Sequence, residues 1–217
     1  MRDNVSQKDS AKAEDQPLSL KLNRTTILVD GQLQISFRRT VKVPDNQQTS
    51  NLPPDLGPFK LTNVNYGSDR LPASIKAKGG LLLPMYEREA MWIKFRSLTS
   101  KSYAIKVLSG GVNAISGEPE QETIETKKRR KAFLTKRKPI QDYLVVPGQP
   151  WLDGFATAPG KVHQFVATTL GKGKTIESQI TGVEDIGGLQ FHITPQTFNE
   201  EPQNLVHVPH NIPIRFS

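Results

Sequence analysis

Cysteine is absent from the 217 residues of this chain. Disulfides, thiolate metal sites and a cysteine nucleophile are excluded with it. Long apolar runs are absent as well. The longest, Gly79–Met85 (GGLLLPM), falls far short of the ~20 residues that cross a bilayer. The N-terminal MRDNVSQKDSAKAEDQP lacks the apolar centre of a signal peptide. Together these absences lead us to expect a soluble, cytoplasmic protein without a transmembrane segment. Apolar residues make up only 35% of the chain, which is low for a packed domain. Part of the chain is therefore expected to lie outside a core, beginning with its ends.

What is present is a series of short strand patterns. Leu18, Leu20 and Leu22 alternate with polar residues, and Ile27–Val29 runs into Asp30-Gly31. Leu33, Ile35, Phe37, Val41 and Val43 then follow at period two, the spacing that puts side chains on one face of a strand. Asp-Gly between apolar strands predicts a type I′ hairpin, because both residues tolerate positive φ. Arg39 interrupts the inward face, so a bulge or an exit from the core is expected there. The segment Pro44–Pro58 reads as a loop, since proline removes ladder donors. Pro72–Lys78 predicts one helical turn stopped by Gly79-Gly80, and Pro84–Met91 a second short helix with Glu87 and Glu89 near its positive end.

Further strands are expected at Met91–Phe95, Tyr103–Val107 and Val112–Ile115. The densest signal is Gln141–Ala167, where Tyr143–Val146 and Val162–Ala167 enclose Pro147-Gly148-Gln149-Pro150, Trp151, Asp153-Gly154 and Pro159-Gly160. Ile176–Ile180 and Leu189–Ile193 read as the last strands. About eight to ten short strands at such spacing predict an all-β sandwich or barrel with one or two short helices. The expected organisation is a polar, disordered tail over 1–17, one β-rich domain over 18–193, and an extended tail over 194–217 that carries Val206, Val208, Ile212, Ile214 and Phe216.

The net charge is +8. Lys127, Lys128, Arg129, Arg130, Lys131, Lys136, Arg137 and Lys138 account for it, leaving the remainder close to neutral. This run reads as a charged loop over 120–139, preceded by Glu118, Glu120, Glu122 and Glu125. Nucleic-acid contact, anionic-lipid contact or a nuclear import signal would use such a run; a solvated loop is the plainer reading. Apart from Phe133 it has no interleaved aromatic for base stacking.

Other motifs are weaker. Gly171-Lys172-Gly173-Lys174-Thr175 ends like a phosphate-binding loop, but Thr168 stands where the first glycine belongs, and a parallel βα context is missing. A glycine-rich turn is the better reading. His207 and His210 stand in a proline-broken tail and lack carboxylates at ligand spacing, while His163 and His192 each sit in a strand, where a histidine is usually a surface or satisfied residue, so no metal is assigned. No Gly-x-Ser-x-Gly elbow appears, and no catalytic residue or cofactor is assigned. Asp142 and Asp153 flank Trp151, and Asp before Gly is typically a turn former. Trp151 and Asp153 are the candidate lining of a sugar or small-ligand pocket, although core packing is the usual fate of Trp92 and Trp151.

Several phrases together, RTVKVPDN (39–46), LPPDLGPF (52–59), LPMYEREAMWIKF (83–95), AIKVLSGGVNAISGEP (104–119), QDYLVVPGQPWLDG (141–154), QFVATTLGKGKTIESQITG (164–182) and GGLQFHI (187–193), resemble an uncharacterised protein family shared by bacteria and fungi. Some of its members are labelled integral membrane proteins. The resemblance covers about 33–194, and 120–139 departs from it by what we expect to be an insertion. That family is similar to octin, a fungal crystal-forming protein, which implies self-assembly. The leading expectation is therefore a non-enzymatic, self-associating structural protein, a homo-oligomer built through strand edges. The alternatives are a binding module for nucleic acid or anionic lipid through the basic run, and a carbohydrate or small-ligand binding protein.

Overall fold

A computed structural model describes residues 17–43, 54–66, 71–138, 140–158 and 161–196. Residues 1–16 of the tail expected over 1–17, most of the 44–58 loop and the tail beyond 196 lie outside the described residues. The chain begins with β1 (Leu20–Asn23), β2 (Thr26–Val29) and β3 (Leu33–Thr40). Asp30 and Gly31 between β2 and β3 have φ of 48° and 66°, the type I′ geometry predicted from their identity. The Gln32 N–H closes that turn on the Val29 carbonyl at 2.9 Å.

There follow β4 (Thr62–Asn63), a single 3-10 turn, α1 (Ala73–Lys78), β5 (Leu81–Leu82), β6 (Ala90–Ser97), β7 (Tyr103–Ser109) and β8 (Val112–Asn113). As expected, α1 stops at Gly79, whose φ is 67°. After α2 (Ile124–Thr135) come β9 (Leu144–Val146), β10 (Trp151–Leu152), β11 (Gly154–Ala158), β12 (Lys161–Val166), α3 (Ile176–Thr181) and β13 (Leu189–Pro195).

Every pairing is antiparallel. Seven strands form the larger sheet in the order β1-β2-β3-β6-β12-β11, with β10 also paired to β6. Four form the second, β13-β7-β8 with β9 also on β7, and β4 pairs with β5. The two larger sheets pack as a sandwich, so the predicted all-β class holds. Leu33, Ile35, Phe37, Ile93, Phe95 and Leu152 from the first sheet meet Tyr103, Ile105, Val107, Leu144 and Val146 from the second. Each such fully buried side chain contributes about 2 kcal/mol of transfer free energy.

Thirteen strands exist among the described residues, more than expected, because several are two-residue pairings too short to carry a period. Thr194 and Pro195, expected in the C-terminal tail, are the last residues of β13 and pair with Ala104 and Tyr103. Proline is tolerated there because β13 is an edge strand.

Three local expectations are corrected. Arg39 marks neither a bulge nor an exit: β3 pairs with β6 in unbroken register to Thr40↔Ala90. Its charge is accommodated by Glu89, 3.0 Å away, and by the ring of Phe59. The helix expected at Pro84–Met91 does not form. Arg88 takes a φ of 72°, and the Glu89 carboxylate accepts the Tyr86 N–H at 2.8 Å, closing a tight turn instead. Tertiary pairing of Glu89 with Arg39 outweighs local helix propensity. Ile176–Ile180, read as a strand, is α3. Thr175 caps it by accepting the Ser178 N–H, and Gly182 ends it at φ 80°.

Candidate functional site: a cleft at the open side of the sandwich

The larger sheet has seven strands and the smaller four. Residues of β11 and β12 and of the edge strand β13 border a cleft of about 790 Å³. This volume is in the range of small-molecule sites. Phe37, Leu61, Met91 and Phe165, all core residues, reach its inner end. Leu81, Leu83 and Met85, together with Leu189 and Phe191 on β13, add apolar lining. Phe155 makes tilted ring contacts with His163 and Phe165, with ring centroids 6.2 Å and 5.9 Å away.

Polar side chains gather on the same cleft: Lys42, His163, Gln164, Lys174, Thr175, Glu177 and Gln179. Gln164 is already committed, accepting the Val43 N–H at 2.9 Å and donating to the Val41 carbonyl at 3.0 Å. Glu177 is 1% exposed. Its carboxylate accepts the N–H groups of Asp185, Ile186 and Gly187 at 2.7–2.9 Å. Burial alone would raise its pKa, but these three donors and the nearby Lys78 charge overcome that and hold it below the usual range.

The Gly171–Thr175 loop is a turn, as predicted, and its donors serve the chain itself. The Glu184 carboxylate accepts from the Gly171 N–H and from the Thr175 hydroxyl at 2.7 Å. The Thr175 hydroxyl leads the causes that lower the Glu184 pKa. Both carboxylates are thus held in their ionised form by local donors. Lys42 and Lys174 make no ion pair among the described residues. The cleft is apolar inside with cations unshared at its polar side.

The sequence-predicted site residues lie elsewhere. Trp151, on β10, pairs with Lys94 on the larger sheet and is 42% exposed, so it is not the core residue expected of it. Trp92 is buried, and its indole N–H has no partner among the described residues. Asp153 follows Leu152, which pairs with Ile93, at the fork where β10 and β12 diverge along β6. It is buried, and desolvation pushes its carboxyl up to about 6 against a smaller opposing effect of its own backbone N–H. Neither Trp151 nor Asp153 lines the cleft. Asp142 pairs with Lys106 at 2.8 Å.

The basic run is not a loop but α2. Thr123 and Thr126 form a reciprocal capping box: the Thr123 hydroxyl accepts the Thr126 N–H at 3.2 Å, and the Thr126 hydroxyl accepts the Thr123 N–H at 2.9 Å. That pair, followed by strong helix formers, was the available signal. It was masked because the segment has no apolar stripe. His192 pairs with Glu120 at 3.1 Å, while His207 and His210 lie outside the described residues. Among the described residues no group of three His, Asp or Glu could hold a metal, and no helix is long and apolar enough to cross a membrane.

Comparison of the chain with protein-family models, with curated proteins and with solved structures returns no match.

Proposed function

We propose that the protein is a small-ligand binding protein whose ligand has an apolar body and an anionic end. The observation that carries this is the cleft of about 790 Å³, apolar within and bordered by the unshared cations Lys42 and Lys174. An apolar body gains from replacing water against Phe37, Met91, Phe155 and Phe191. A carboxylate or phosphate at the polar side gains charge-assisted hydrogen bonds from the lysines. Glu177 and Glu184 are engaged by local donors, so neither carboxylate is paired with these lysines.

Titration with dodecanoate and with the uncharged dodecanol, followed by calorimetry, tests the reading. Dodecanoate is expected to bind more tightly. In the pair Lys42→Ala and Lys174→Ala its affinity should fall about tenfold, corresponding to ~1.4 kcal/mol, while dodecanol is unaffected. Leu83→Trp, which fills the cleft, should weaken both. Absence of binding by either compound to the wild-type protein rejects this ligand class.

A second reading, self-association, is favoured by one observation. The edge strand β1 is exposed along its whole length, with Leu20 67% and Leu22 38% accessible. Such an edge is a template for pairing with another copy. Light scattering across a concentration series should then show an oligomer that Leu20→Lys abolishes. A monomer throughout counts against it.

A further inference from the structure

We infer that the outer side of α2, with the turn that follows it, is a docking surface for the phosphate backbone of duplex nucleic acid. The eight cations of this segment divide into two sets. Arg129 and Arg130 are anchors. Both reach the carboxylate of Glu118, at 3.7 Å and 2.9 Å, and that side chain is 7% exposed. Arg130 also approaches Glu122 and Asp142, each at 3.8 Å, and Arg129 donates to the Ser116 carbonyl at 3.2 Å. Lys127 pairs with Glu122 at 3.4 Å. These contacts fasten the helix to the domain.

The second set is free of them. Lys128, Lys131, Lys136, Arg137 and Lys138 are exposed and make no ion pair among the described residues. Lys128 and Lys131 are three apart and share one side of the helix. Lys136, Arg137 and Lys138 extend the charge past its C-terminal end. From Lys128 to the helix end at Thr135 is about 10 Å at helical rise, and the turn at Arg137 holds the last three cations against that end. A duplex presents one negative charge per about 1.7 Å of axis, so a rod of that length meets several phosphates at once.

The same segment is poorly suited to a membrane. Its apolar residues do not form a stripe: at 100° per residue, Ile124 and Phe133 project about half a turn apart, and Phe133 is engaged by Arg129 and Lys138 at 5.3 Å and 5.9 Å. An interfacial helix needs one continuous apolar face. The free set holds only Lys and Arg, which suit phosphate contact, and no aromatic side chain for base stacking.

The test is binding of a random-sequence duplex by the full chain over a salt series. With four or five phosphates neutralised, log K should fall with log salt at a slope of about −4. Replacing Lys128, Lys131, Lys136, Arg137 and Lys138 by Gln should weaken binding at least a hundredfold and flatten the slope. A charge-matched variant with Lys21, Arg24, Lys60, Lys94 and Arg96 replaced by Gln should retain it. Equal losses in the two variants would mean that net charge alone acts, and would overturn the proposal. Preference for phosphatidylserine vesicles over duplex would overturn it too. Should the first variant not fold, the wild-type slope still decides: a magnitude below about one rejects the surface.

Discussion

The guanidinium of Arg39 lies 4.0 Å above the centre of the Phe59 ring. Phe59 is fully buried and Arg39 half-exposed, so the arginine covers the end of the core while its Nε holds Glu89. A charge at an inward strand position is therefore a lid on an aromatic ring. Replacing Arg39 by Ala removes the stack, uncovers the ring and leaves Glu89 without its partner. The expected loss is about 1–2 kcal/mol. Arg39→Lys should recover only part of it, because the planar guanidinium supplies the stacking. Urea denaturation of both variants measures the difference.

Glu177 sets a dependence on acid. Its pKa is held below the ordinary 4.5 of a glutamate in the folded chain, so its contribution is fully present above that value. It is lost as pH falls through the lower folded pKa. Glu177→Gln removes the charge and aims an amide donor at backbone donors. It should cost about 3 kcal/mol near neutral pH and flatten the acid limb of a stability profile obtained by thermal melts.

Asp153 acts with the opposite sign. A carboxyl raised from 3.8 to about 6 binds more protons folded than unfolded between those values. Stability from this group therefore declines as pH rises through that window, and its full cost is present above it. A shift of this size corresponds to up to about 3 kcal/mol. Asp153→Asn should raise the melting temperature at neutral pH and leave it nearly unchanged near pH 3.

Thr123 starts α2, and the helix has few apolar contacts to hold it otherwise. Thr123→Ala should cost about 1 kcal/mol. The loss should appear as faster amide exchange in the first turn of α2, with the sandwich strands unaffected.

The strand pattern was readable where one face is buried and the other wet. Asp30-Gly31, the alternation from Leu33 to Phe37 and that from Met91 to Phe95 all carried through to the fold. α2 was not readable by period, since Lys and Arg occupy its length and only its capping box announces it. In α3, Ile176 and Ile180 stand four apart, a spacing compatible with either a strand or a helix; Thr175 and Gly182 decide it. The cleft was invisible because Phe37, Met91, Phe165 and Phe191 read in sequence as ordinary core. Their meeting at one cleft depends on β3, β6, β12 and β13 coming together from distant parts of the chain, a property of topology. Trp151 and Asp153 were singled out by residue type, and their place on β10 and at the fork sets them away from that opening.

The pairing of β3 with β6 joins distant residues, Thr40 to Ala90 and Leu33 to Ser97. The neighbouring hairpins β1–β2, β2–β3 and β7–β8 close only short loops. Assembly of the larger sheet must then wait for a distant partner, which makes the chain a slow folder for its size. Loop-closure entropy grows only with the logarithm of length, by about 0.6 kcal/mol per doubling. Refolding should therefore be retarded strongly by lesions such as Ile93→Ala on β6, and hardly at all by lengthening the connection between β3 and β6.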